Sequence, residues 1–266
     1  MSRLVIHGHF YQPPRENPWT GNIDPEPGAL PFHDWNQRIH AECYQPNSAA
    51  QIVDPKSGQE RFVNNYAHIS FDFGPTLLSW LDRNHSETYA RIINADADSA
   101  RLHNGHGNAI AQAYNHALLP LCNSRDRLTQ VRWGRADFLY RFGREPESMW
   151  LPETACNDDV LGLLIDEAFK FVILAPQQAA RVRNSTDEPD VPDLQARESI
   201  DTSVAYRYFH RDGSGRSIAV FFYDPELAQG IAFGNALASS DSLVELFAQR
   251  AIGSGTLINV ATDGES

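Results

Sequence analysis

At 266 residues the chain is long enough for one large domain with a proper core, and 42% hydrophobic and 11% aromatic residues exclude both disorder and a disulfide-dense miniature. A formal net charge of -12 argues against nucleic acid as a partner, because sequence-independent binding to a polyanion runs on clustered Lys and Arg. Three widely spaced cysteines, Cys43, Cys122 and Cys156, suit neither a disulfide framework nor a thiolate zinc cluster and point to a reducing compartment, the cytoplasm.

The N-terminus reads Met1-Ser2-Arg3-Leu4-Val5-Ile6 and turns polar at His7, too soon for the apolar region of a signal peptide, and no later run approaches a membrane span. Leu4-Val5-Ile6 is a short buried strand. From His7 to about Arg61 the sequence is polar and rich in Pro, Asn and His, and is predicted to be one long loop that builds a binding site over a scaffold. Gly74-Pro75 opens a helix whose apolar face is Leu77, Leu78, Trp80 and Leu81, and a second helix covers Glu87 to Asn94. Asp126 is predicted to cap a helix that runs through Val131, Ala136, Leu139 and Phe142 and ends at Gly143.

The strand Ser148 to Leu151 follows, then a helix capped by Asn157 and running through Ala168, then Phe171-Val172-Ile173-Leu174, apolar throughout as a parallel strand buried on both faces should be. The stretch Arg183 to Arg197 is an exposed loop. Val204 to Tyr208 and Ser217 to Tyr223 form a hairpin inserted into this β-α-β rhythm. A helix from Ser242 to Ala251 and a strand from Leu257 to Ala261 resume it. The sequence stops at Asp263-Gly264-Glu265-Ser266 with no closing helix, which predicts a fragment truncated on its C-terminal side and poorly stable alone.

In parallel α/β folds reactive groups sit at the carboxyl ends of strands. That rule selects His7 and His9 after the first strand, Glu153 after the strand through Leu151, Asp224 after the hairpin, and Asp263 and Glu265 after the last strand. Any one such acid is equally a helix cap or a solvated loop charge, but six polar groups at strand ends form a pattern. Two carboxylates across one cleft are the minimum apparatus for cleaving a glycosidic bond, and Trp150 and Tyr11 add flat surfaces for a sugar ring. A second reading is a zinc site, in which His7-Gly8-His9 and His103-Asn104-Gly105-His106 supply imidazoles. His33, His40, His68, His85 and His210 read as surface or loop histidines. Gly105-His106-Gly107-Asn108 lacks the Lys-Ser/Thr of a phosphate loop, so nucleotide binding is rejected.

Four segments resemble the catalytic domain of glycoside hydrolase family 57, a group of retaining enzymes that act on α-glucan. His9-Phe10-Tyr11-Gln12-Pro13 resembles its opening His-x-His-Gln-Pro, with Tyr11 where many members have the second His. Gly105-His106-Gly107 through Tyr114-Asn115-His116 to Leu121 resembles the second region, Trp150-Leu151-Pro152-Glu153 the nucleophile region, and Asp263-Gly264-Glu265 the acid/base region. His7 to Trp19 further resembles a subgroup of large bacterial proteins in that family. The resemblance implies one α/β domain over residues 1–266, a distorted (β/α)7 barrel. It also implies Glu153 as nucleophile, Asp263 as acid/base, and substrate contacts from His9, His116, Trp150 and Glu265, beside which His7, Tyr11, His106 and Asp224 are further candidates. The substrate is then an oligo- or polysaccharide, with hydrolysis and sugar transfer both open and no metal or other cofactor required. The alternatives are a metal-dependent polysaccharide deacetylase and a non-catalytic sugar-binding barrel.

Overall fold

In the computed structural model of the chain, which describes residues 2–54, 56–182, 194–195, 200–251 and 256–265, the first strand β1 spans Arg3–Phe10. It continues past Ile6 because strands on both sides satisfy its backbone and Phe10 is buried among Tyr44, Tyr66 and Phe73. The segment expected to be one long loop is in part built. It contains the helix α1 (Trp35–Ile39), a π-helical turn (His40–Tyr44), the helix α2 (Gln45–Ser48) and a hairpin of β2 (Ala50–Val53) and β3 (Glu60–Val63). These helices are anchored by Tyr44 and His40, both buried, whose polar tips keep them out of a count of apolar periodicity. His40 is thus not a surface histidine: it stacks on His85 at 3.5 Å between ring centroids and bonds Thr88 Oγ1 at 3.0 Å.

Next come β4 (Ser70–Phe73), α3 (Pro75–Asn84) and α4 (Ser86–Leu102). The last outruns its predicted end at Asn94, because Ile92, Ala95, Asp96 and Ser99 continue one buried stripe. A two-residue strand, β5 (Ala111–Gln112), precedes α5 (Ser124–Phe142). Helix α5 is capped by Asn123, whose side chain accepts from the Asp126 N–H, so Asp126 receives the cap that it was expected to supply. Gly143 ends the helix in the left-handed region at φ 68°. Then follow β6 (Met149–Trp150), α6 (Asp158–Asp166) under its Asn157 cap, and β7 (Phe171–Leu174).

Strands β8 (Arg181–Val182) and β9 (Leu194–Gln195) pair antiparallel, and the rest of the loop expected over Arg183 to Arg197 lies outside the described residues. The hairpin of β10 (Ala205–Phe209) and β11 (Ser217–Phe222) forms as expected, but β11 also pairs parallel with β7, so only β10 is an addition to the rhythm. An unpredicted helix, α7 (Pro225–Ala232), precedes α8 (Ser240–Arg250) and β12 (Leu257–Asp263).

Among the described residues seven parallel strands follow one another in the order β12, β1, β4, β5, β6, β7, β11. Single bridges, Phe71 to Ala109 and Ser148 to Phe171, join β4 to β5 and β6 to β7, and the Asp224 N–H returns to the Asn259 carbonyl on β12 at 2.7 Å. The ring is therefore a barrel with weak seams. Outside it Leu77, Leu78, Leu81, Ile92, Val131 and Leu164 fill the layer between helices and strands, each fully buried aliphatic side chain contributing roughly 1.5–3 kcal/mol. Inside, Ile110, Trp150, Ile173 and Ala261 close the lumen. The last strand is not bare: Leu227 of α7 and Phe247 of α8 pack on Ile258 and Val260.

Candidate active site

A strand alternates its side chains, so β1 sends His7 and His9 to one face and Gly8 and Phe10 to the other. Both imidazoles are buried and stack on Trp150 of β6, with centroids 4.9 and 5.1 Å apart. Between them lies Asp72 of β4, completely buried, which meets His7 Nε2 at 3.0 Å and His9 Nδ1 at 2.8 Å. Asp72 belongs to none of the sequence motifs above. Its signal was a lone carboxylate between two phenylalanines, where an uncompensated charge would be prohibitive.

Burial resists ionisation of Asp72, but His9 and His7 hold its carboxyl below the usual carboxylate range. Burial likewise resists a charge on His9, and Asp72 outweighs it, raising that imidazole above its ordinary value. His116, in the loop after β5, is pushed down to about 4 by burial and then by His9. When protonated, His9 donates Nδ1–H to Asp72 and Nε2–H to the neutral His116 Nε2, 2.9 Å away. In that state the His116 proton sits on Nδ1. Tyr11 stacks on His116, with ring centroids 4.0 Å apart.

The strand β12 supplies the carboxylates. Asp263 is the register partner of His9 across the β1 to β12 pairing, so its side chain leaves the sheet on the same side, at the exposed end of the lumen. Glu265 is held by the Gln12 amide nitrogen at 2.9 Å and by the Tyr44 hydroxyl. Burial drives its pKa up to about 7, against the opposing pull of Tyr44, Gln12 and His9. Between the two acids Gly264 has no room for a side chain, since a Cβ there would lie 2.3 Å from the Phe10 ring.

Glu153 lies on a 3₁₀ turn directly after β6, exposed at the same barrel mouth, in the left-handed region at φ 56°. Thr154 (φ 51°) and His116 (φ 54°) share that conformation, which costs a non-glycine residue on the order of 1 kcal/mol. Strained backbone thus gathers in the loops after β5 and β6, where Glu153 and His116 are presented. Gln112 was missed, whereas Trp150 was a candidate for its ring alone. The Gln112 amide, at the end of β5, and the Trp150 indole N–H are both buried with no protein partner.

Two of the ten site candidates do not join this cluster. His106 precedes β5 and pairs with Glu147, which precedes β6 and also meets Lys170 at the start of β7, so it lies at the opposite mouth of the barrel. It was selected with its motif, although its position before a strand already set it apart. Asp224 caps α7 through the Glu226 and Leu227 N–H groups and bonds Arg250 Nε at 2.9 Å, which leaves it a structural acid. The zinc reading needed His103 and His106 beside His7 and His9, and the barrel separates the pairs. Among the described residues no three His, Cys, Asp or Glu are gathered as a ligand set. Nor is any described helix long and apolar enough to cross a membrane.

The family model described as glycosyl hydrolase family 57 matches residues 29–266. The opening motif at His9 to Pro13 precedes that stretch and enters the site through β1. Alpha-amylase 1 of Dictyoglomus thermophilum is 21% identical over 106 residues, which is 40% of this chain and 15% of that protein. The structure of the 4-alpha-glucanotransferase from Thermococcus litoralis covers 99% of this chain and is itself covered over 33%, with a TM-score of 0.62 and 14% identity. For the GH57-type branching enzyme from Pyrococcus horikoshii the shares are 99% and 63%, with a TM-score of 0.56 and 14% identity. The chain thus spans less than two thirds of each of these proteins, and the two structures share its fold, a distorted (β/α)7 barrel.

Proposed function

The chain belongs to glycosyl hydrolase family 57, and from that membership we propose that residues 1–266 form the catalytic domain of a retaining enzyme acting on α-linked glucan, with Glu153 as nucleophile and Asp263 as general acid/base. The observation that supports this reading is that the ends of β6 and β12 each bring an exposed carboxyl to one mouth of a lumen floored by His9, Trp150 and His116.

The chemistry is a double displacement. Glu153 attacks the anomeric carbon as Asp263 protonates the departing oxygen, and Asp263 then takes a proton from the water or acceptor sugar that opens the glycosyl ester. Retention requires the two carboxyl groups roughly 5 Å apart when a glycan is bound. The Asp72–His9 pair fixes the imidazole below the acids, and His116 faces the lumen as a hydrogen-bonding group for a sugar hydroxyl. Tyr11 offers a stacking face, Trp150 backs the imidazoles from within the lumen, and Glu265 is a further hydrogen-bonding group. Whether water or sugar captures the intermediate divides hydrolysis from glucan transfer, and product analysis separates them. Three unpaired thiols support a reducing, cytoplasmic setting.

The test is turnover of a panel of α-glucans by the full-length protein beside Glu153→Gln. The substitution is expected to lower kcat by about 10³-fold or more while sugar binding survives, because a nucleophile is lost and the binding surface is not. Equal turnover by both proteins overturns the assignment. Binding without turnover in the unsubstituted protein points instead to a non-catalytic barrel.

A further inference from the structure

Between β1 and α1 the chain forms no regular element beyond a 3₁₀ turn at Pro27–Ala29, yet one guanidinium ties this stretch together. Arg15 donates Nη2 to Gln12 Oε1 at 2.8 Å, Nη1 to Glu26 Oε1 at 2.7 Å and Nε to Asn36 Oδ1 at 3.2 Å. Glu26 in turn accepts from the Trp35 N–H at 2.8 Å with its other oxygen. The guanidinium is thereby anchored to the first turn of α1, and Asn36 beside it is buried.

A guanidinium has donors and no acceptor. The Gln12 atom that faces Arg15 is therefore the oxygen, and the amide nitrogen is left to face Glu265 Oε2, 2.9 Å away. Gln12 is only 8% exposed, so solvent offers little exchange of partners. With the amide reversed, two acceptors would confront one another, Gln12 Oε1 against an ionised Glu265, while the NH₂ group met a cation.

We propose that Arg15 is a positioning residue of the active site: by fixing the orientation of the Gln12 amide, it holds the Glu265 carboxylate in the cleft beside Asp263. Only the activity arm of the test rests on the function proposed above. The ionisable groups that face Glu265 are Tyr44 and Cys43 from the π-helical turn, Tyr66, and His9 from β1.

The test is a ¹³C NMR titration of Glu265 in the full chain, without sugar, for the unsubstituted protein, Arg15→Leu, Gln12→Met and the double variant. Each single substitution is expected to raise the Glu265 pKa by about half a unit or more, because the carboxylate loses a donor. The double variant is expected to rise no further than Gln12→Met alone. No shift, or an Arg15→Leu shift of the same size in both backgrounds, means that Arg15 acts by charge or by folding alone and overturns the proposal. Arg15→Lys keeps the charge but cannot hold three acceptors in the same fork, so a smaller upward shift is expected. If only that variant folds, absence of a shift in it is overturning. With α-glucan, Arg15→Leu should raise KM about tenfold with kcat within about threefold, as for one lost charge-assisted hydrogen bond to substrate. A protein inert on glucan with the expected titration sinks the functional reading alone, whereas an active protein whose shifts add sinks the positioning alone.

Discussion

Asp72 is the residue on which the charge state of the site rests, because a completely buried carboxylate is tolerated only where charged or hydrogen-bonding partners replace water. Asp72→Asn should destabilise the fold by on the order of 3 kcal/mol, as removal of one partner from a buried pair does. The pH dependence follows from the two shifts. The depressed pKa of Asp72 contributes stability that is present above its unfolded value and lost as pH falls through the folded one. The raised pKa of His9 contributes stability that is present below its unfolded value and lost as pH rises through the folded one. The advantage of the unsubstituted protein over Asp72→Asn should therefore peak between about pH 4 and 6.5 and shrink on either side. Denaturant melts at pH 3, 5.5 and 8.5 check this, and a difference that keeps growing above pH 7 would refute the ion pair.

At the scale of elements, five of the eight α-helices among the described residues were legible in the sequence, and α1, α2 and α7 were not. Pro75, Asn157 and Gly143 act locally, through a fixed φ, a side-chain acceptor and a left-handed φ, so their neighbours suffice to define them. The polar groups that gather at the ends of β1, β6 and β12 stood out in the sequence because each closes or follows an apolar run. Asp72, Gln112 and the π-helical turn were not, because each is defined by a contact distant in sequence: Asp72 with His7 and His9, Gln112 under Gly134 of α5, Tyr44 with Glu265. Gly264 belongs to this second kind, since only packing explains it. Phe10 cannot swing aside, being stacked on Phe73 at 4.6 Å and edge-on to Tyr44 and Tyr66. Gly264→Ala should cost about 1–3 kcal/mol of stability by overpacking, and it should also depress activity by moving Asp263 and Glu265. Gly230→Ala is the control, because a Cβ there meets only Leu246 at 3.6 Å and lies within α7. If Gly264→Ala matches that control in melting temperature and kcat/KM, the clash with Phe10 does not constrain the acid pair.

Over the whole molecule the barrel is unevenly stitched. Between β1 and β12 the pairing runs from Arg3 to His9, whereas β11 reaches β12 through the Asp224 N–H on the Asn259 carbonyl. The outer side of this weak seam is covered by α7 and α8, through Leu227 and Phe247 on Ile258 and Val260. Asp224 therefore holds the seam three times over, with its backbone on β12, its carboxylate as the cap of α7, and its salt bridge to Arg250 of α8. Local opening should start here, because few backbone bonds resist it. Asp224→Ala removes the cap and the salt bridge but leaves the backbone bond. It should lower stability by roughly 1–2 kcal/mol and melting temperature by about 2–8 °C. Amide exchange over residues 224–232 should accelerate well before the rest of the barrel, while kcat at 25 °C stays within about threefold, since the carboxyl points into α7 and not into the cleft. A loss of kcat of about 100-fold in a variant whose exchange pattern is unchanged would move Asp224 from the architecture into the chemistry.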